Sequence, residues 1–201
     1  MIYWSRVGGG WNEGSSSMFG VPPGALTFLG EMTRATTAAC LQPPGQRRGD
    51  WPGATNELPY GLIAPGGMYP ATWVRDTVMA LDAGFVAPED AARHLRLFLE
   101  TQNGPADRHS DDGGRVPPWS IADHVRGDGQ PVYWAGTMHP LPASGGPFFG
   151  QLPPADNHFY VALAAAWLHR QTGDTAFLIE RIAGLTVLVR LALAYAAPEF
   201  D

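Results

Sequence analysis

The chain has 201 residues, 45% hydrophobic and 16% charged, a globular balance with enough length to bury a sizeable core. Its formal net charge of -6 offers no basic face to displace the counterions of a phosphate backbone, which excludes a general nucleic-acid binder. The one cysteine, Cys40, excludes an intrachain disulfide and a cysteine-based metal cluster.

The N-terminus, Met1 to Val7, lacks the basic start and apolar stretch of a signal peptide. Residues 1–23 are rich in Gly, Ser and aromatics and read as a loop or arm, with residues 24–201 as the folded domain. From Gly24 to about Leu41, apolar Leu26, Leu29, Met32 and Ala39 support a helix that Pro43-Pro44 ends. Residues 42–70 are Pro/Gly-rich and read as irregular. A helix follows from about Thr72, carrying Trp73, Val78, Met79 and Leu81 and closed by Gly84. Pro88, with Glu89 and Asp90 beside it, opens the next helix, which runs to Asn103-Gly104-Pro105. The short connection makes the two an antiparallel αα-hairpin.

The segment from Gln102 to Ala155 has no clear period but is dense in aromatics, including Trp119, Tyr133, Trp134, Phe148 and Phe149. That density argues against disorder and for a folded loop over one end of a helical scaffold, with room for short strands. Asp156 or Asn157 then caps a helix to about Gln171, which Gly173 ends. Asp174 caps a last helix whose apolar stripe runs through Phe177, Leu178, Ile182, Leu185, Leu188 and Leu191. The stretch from Leu185 to Ala197 is interrupted by Arg190 and is too short to span a bilayer. The expected class is all-α, with tandem antiparallel helical hairpins and long irregular loops. A soluble, cytoplasmic protein with no membrane partner is expected with it.

Trp73-Val74-Arg75-Asp76, reached through Gly66-Gly67-Met68-Tyr69-Pro70, places an aromatic, a fixed cation and a carboxylate together at a helix start. An indole offers a flat face to a sugar ring, and Arg with Asp donates and accepts hydrogen bonds from adjacent hydroxyls. The competing reading of Arg75-Asp76 is a cap or surface salt bridge, and that of Asp156 is a simple N-cap. Both loops precede the first helix of a hairpin, so Tyr69, Trp73, Arg75, Asp76, Asp156 and Asn157 would converge on one face as a carbohydrate site.

The run Tyr69-Pro70-Ala71-Thr72-Trp73-Val74-Arg75-Asp76, then Met79-Ala80-Leu81, resembles the Trp-x-Arg-Asp segment of glucoamylase-like six-hairpin glycosidases. The later Asp156-Asn157-His158-Phe159-Tyr160 and Thr172-Gly173-Asp174 are similar to the following hairpins of that superfamily. The resemblance implies an (α/α)6 toroid that hydrolyses glycosidic bonds with inversion, with Arg75 and Asp76 holding the sugar rather than cutting the bond. Inversion needs two carboxyls about 6.5–9.5 Å apart. Asp123, Asp128, Glu199 and Asp201 are candidates by type, but no motif singles out a catalytic pair. Six hairpins need on the order of 300 residues, so the resemblance implies the N-terminal part of a longer enzyme, inactive in isolation. A glycosyl phosphorylase or sugar epimerase, or a noncatalytic carbohydrate-binding or scaffold helical domain, remains open beside hydrolysis.

No cofactor is expected. The six histidines show no His-Glu-x-x-His spacing, so no metal site is expected. Asp107, Asp111 and Asp112 lack the ligand pattern of a calcium loop. Cys40 sits in an apolar helical stretch, where an inert thiol is usual. Gly8-Gly9-Gly10 follows no strand that would make it a phosphate loop.

Overall fold

A computed structural model of the chain describes residues 22, 24–66, 69–109, 114–134, 154 and 156–196. The expected arm at residues 1–23 lies almost wholly outside them, as do Phe148, Phe149, Glu199 and Asp201. In chain order, helix α1 (Ala25–Cys40) leads into strands β1 (Leu41–Gln42), β2 (Leu62–Ile63) and β3 (Ala71–Trp73). Helices α2 (Val74–Leu81) and α3 (Pro88–Glu100) follow. Then come strands β4 (Arg108–His109), β5 (Arg115–Val116), β6 (His124–Arg126) and β7 (Pro131–Val132). Helix α4 (Asn157–Thr172) and the one-turn α5 (Ala176–Ile179) precede the hairpin β8 (Arg181–Ile182) and β9 (Leu185–Thr186), and α6 (Val187–Ala196) is last.

The class is therefore mixed α/β, and the all-α expectation is wrong. Six helices share the described residues with four small antiparallel sheets, the largest in the order β3-β6-β7. Two causes account for the error. Loops pressed onto a core must pair their backbone groups, and here they do so as two- and three-residue ladders too short to show a period. The second cause lies at the C-terminal end, where Ile182 and Leu185 are three apart and so fit a helical stripe. They are in fact cross-strand partners, joined by Ala183 (φ 45) and Gly184 (φ 86). Positive φ at both central residues is the signature of a two-residue hairpin turn, which breaks the expected single helix in two.

The helical signals with proper punctuation hold. Pro88 opens α3, and Gly173 closes α4 with φ 66, its N–H donating to the His169 carbonyl at 2.8 Å. Asp174 accepts the Ala176 N–H at 2.7 Å ahead of α5. The core lies where α2 and α3 pack on α4. Val74, Val78 and Leu81 of α2, Leu95, Phe98 and Leu99 of α3, and Val161, Ala165 and Leu168 of α4 share one buried apolar cluster. Helix α1, by contrast, buries no residue fully.

His94 joins α3 to β2 in one protonation state. Its Nδ1–H donates to the Asp90 carbonyl at 2.7 Å, so its Nε2 accepts the Ile63 backbone N–H at 3.0 Å. A second proton would set two donors against each other, and burial pushes the imidazole below its ordinary range. His158 is shifted the same way, also by burial. The unfolded chain then takes up protons that the native state refuses, so stability is full above about pH 6.5 and falls as pH drops below it. The slope reaches at most about 1.4 kcal/mol per pH unit for each group. Urea midpoints should therefore fall between pH 7 and pH 5. His94→Gln, whose amide can both accept and donate, should reduce the fall to the share left by His158. An equal fall in both proteins would count against the neutral His94.

Candidate functional site

Several pairings gather the ends of four helices at one end of the molecule. Arg75 of α2 reaches Asp156 before α4, and Tyr133 past β7 donates its hydroxyl to the Thr101 carbonyl beyond α3 at 2.8 Å. Phe159 of α4 meets Tyr195 of α6 edge-on at 5.7 Å. The β3-β6-β7 sheet covers this end, and its register sets the site.

Trp73 lies directly across from His124 in the β3-β6 ladder. Their rings stack at 4.4 Å and 25°, and Tyr69 packs edge-on to the indole at 5.4 Å. Exposure falls along this row: Tyr69 is exposed, Trp73 half-buried and His124 fully buried. Behind it, His124 Nδ1–H donates to Asp123 Oδ2 at 2.9 Å, fixing the tautomer. Asp123 is also tied through its backbone. Its N–H donates to the Val132 carbonyl at 2.8 Å, and its carbonyl accepts the Val74 N–H at 3.1 Å. The start of α2 is thereby locked to the strand that carries His124.

Beside the aromatics, Arg75 pairs with Asp156 and lies 5.8 Å from the Tyr160 ring centre. Asp156 occupies the N-cap position of α4, yet its carboxylate makes no cap hydrogen bond. The side chain turns to Arg75 instead, which disposes of simple capping. Asn157 is buried and donates through Nδ2 to the Ala122 carbonyl at 3.1 Å, docking α4 against the β6 approach. Asp76 stands apart from this network. It is exposed in the first turn of α2 and has no ion pair among the described residues, so the cation beside it is partnered by Asp156 and not by its neighbour.

The structure thus brings Tyr69, Trp73, Arg75, Asp156 and Asn157 to one end, with Asp76 at the margin. Sequence reading missed His124 and Tyr160. Tyr160 was reachable, since it lies four residues after Asp156 on the same helical face. His124 was not, because only long-range strand pairing sets it behind Trp73. Three buried ring nitrogens near this sheet have no hydrogen-bond partner among the described residues: His124 Nε2, Trp134 Nε1 and His158 Nδ1.

Flat apolar rings beside a guanidinium and its carboxylate partner, with the exposed Asp76 at the margin, are suited to a ligand with apolar faces and hydroxyl rims. Among the described residues no three His, Cys, Asp or Glu side chains group as a metal site, and no helix is long and apolar enough to cross a membrane. No family model, curated protein or solved structure matches the chain.

Proposed function

We propose that this end of the molecule binds a carbohydrate and that the protein is a glycoside hydrolase, or part of one, in which Trp73 stacks on a sugar ring while Arg75 and Asp76 hold its hydroxyls. The observation that carries the reading is the graded row of Tyr69, Trp73 and His124 beside the Arg75–Asp156 pair. An indole backed by a buried ring is a rigid platform, and rigid aromatics bind at low entropic cost. Asp156 is engaged by Arg75 and Asp123 by His124, which leaves Asp76, with no ion pair among the described residues, to accept from a hydroxyl. A cytoplasmic location belongs to the same proposal.

The engaged state of Asp123 and Asp156 favours a second reading, in which the chain binds sugar without cleaving it. Calorimetric titration with glucose, maltose and longer gluco-oligosaccharides tests recognition, and reducing-sugar release tests cleavage. Trp73→Ala and Arg75→Ala should each weaken binding about tenfold or more, equivalent to about 1.4 kcal/mol, with the thermal midpoint little changed for exposed Arg75 and lowered for half-buried Trp73. Unaltered affinity in both variants, or no saccharide binding by the native chain, would sink the sugar site. Binding without product release would select the second reading.

A further inference from the structure

Helix α4 is apolar on every side. From Phe159 to Leu168 it holds no charged side chain, the composition of a helix that is covered all round. One side is nevertheless bare. Val161, Ala164, Ala165 and Leu168 turn into the core, while Phe159, Ala162, Leu163 and Ala166 face outward. Phe159 is 47% exposed and Leu163 54%. Their i, i+3, i+4, i+7 spacing makes them one stripe along the helix.

Helix α6 widens that stripe into a face. Its exposed residues, among them Leu188, Val189, Ala192 and Tyr195, are all apolar or aromatic. Tyr195 joins the two helices through its ring contact with Phe159. A continuous apolar face with no charge inside it marks an interaction surface.

The order of side chains along α4 indicates the occupant. Laid antiparallel on α4 of a second copy, with a two-fold axis between Ala162 and Leu163, the stripe fits itself. Phe159 lies over Ala166 of the partner subunit and Leu163 over Ala162 of the partner subunit, so each large side chain meets a small one. The two-fold axis repeats both contacts reciprocally. Charge is complementary in the same register. Arg170 is exposed in the last turn of α4 and has no ion pair among the described residues. The axis brings it within about one helical rise, ~1.5 Å, of the level of the partner's Asp156. At about 100° of turn per residue, Arg170 and Asp156 also fall on the same flank of the stripe.

We propose that α4 and α6 form the face of a symmetric homodimer, in which α4 packs antiparallel on α4 of a second copy and the partner's Arg170 stands beside Asp156. Helices about 24 and 15 Å long and about 10 Å wide offer on the order of 400 Å² per copy. That is the size of a weak, reversible interface and far short of an obligate one. The pairing stands independently of the carbohydrate reading.

Sedimentation velocity over a series from low to high micromolar protein tests it, and the native chain should pass from monomer to dimer. Leu163→Arg sets like charges against each other at the axis and should weaken the pair at least about a hundredfold. Arg170→Glu, which faces Asp156 twice, should weaken it about tenfold. Both replace exposed side chains, so far-UV spectra should stay native. Register is read by oxidative cross-linking in a Cys40→Ser background. Ala162→Cys lies within about one helical rise of its symmetry mate and should form an intermolecular disulfide. Ala166→Cys lies about seven rises, ~10 Å, from its mate and should not. A chain that stays monomeric throughout, a dimer indifferent to Leu163→Arg, or equal cross-linking at both cysteines would overturn the pair. Growth beyond a dimer would overturn it too, since a head-to-tail contact with the exposed Leu26 and Phe28 of α1 does not close.

Discussion

Arg190→Ala is expected to destabilise the fold by about 3 kcal/mol or more, because three buried acceptors each lose their donor at about 1–3 kcal/mol, and Arg190→Met by nearly as much. Arg190 is buried, with 5% of its surface exposed. Its Nε–H donates to the Ile182 carbonyl at 2.8 Å, and Nη1 donates to the Leu99 carbonyl at 3.0 Å and to Gln102 Oε1 at 3.1 Å. Leu99 is in the last turn of α3, where carbonyls lack helical partners and the helix dipole favours a cation. One guanidinium thus ties α6 to the end of α3 and to the β8–β9 hairpin. Burial lowers its proton affinity, but an arginine keeps its charge, so the desolvation is offset by hydrogen bonds alone.

The methionine variant separates hydrogen bonding from packing. A buried ion pair can often be replaced by apolar residues because both partners are removed. Here the partners include two backbone carbonyls, which no side-chain substitution deletes. Refilling the volume leaves them unsatisfied, at about 1–3 kcal/mol each. A thermal midpoint lower by on the order of 10 °C follows for a chain of this size, with the urea midpoint falling at constant m. A methionine variant as stable as the native protein would show that shape, not hydrogen bonding, is what Arg190 supplies.

Arg190 also shows what the sequence conveyed and what it withheld. As an interruption in an apolar stretch it excluded a membrane span, but nothing local told that it would turn inward. The helices were legible wherever capping chemistry is local: Pro88 at the start of α3, Gly173 at the end of α4, Asp174 before α5. The strands were not, because ladders of two or three residues are specified by partners elsewhere in the chain. The spacing predicts Trp73 on a helix, whereas it is the last residue of β3 and the cross-strand neighbour of His124. Arg75 and Asp156 were both singled out as site residues. Their mutual pairing was not foreseen, since 81 positions separate them.

Gly127→Ala should lower both stability and sugar affinity, although Gly127 touches no ligand. It lies in the turn between β6 and β7, in a close crossing with the 53–57 loop. A Cβ there would sit 2.4 Å from the Thr55 carbonyl oxygen and 2.8 Å from that of Gly53, contacts that backbone must move to relieve. That movement breaks a join, because Gly127 N–H donates to the Pro70 carbonyl at 3.1 Å and its own carbonyl accepts the Glu57 N–H at 2.8 Å. Overpacking of this kind costs about 1–3 kcal/mol. Pro70 precedes β3, so displacement passes along Ala71 and Thr72 to Trp73 and its stack on His124. Gly129→Ala is the control. It strains a residue at φ 77 in the same turn, but its Cβ would meet nothing nearer than a Leu58 side-chain carbon at 3.6 Å. That variant should lose about 1 kcal/mol and keep native affinity. If both variants lose stability alike and neither changes saccharide affinity, the turn does not position Trp73. If only Gly127→Ala weakens binding, the sheet behind the indole is part of how the site holds its ligand.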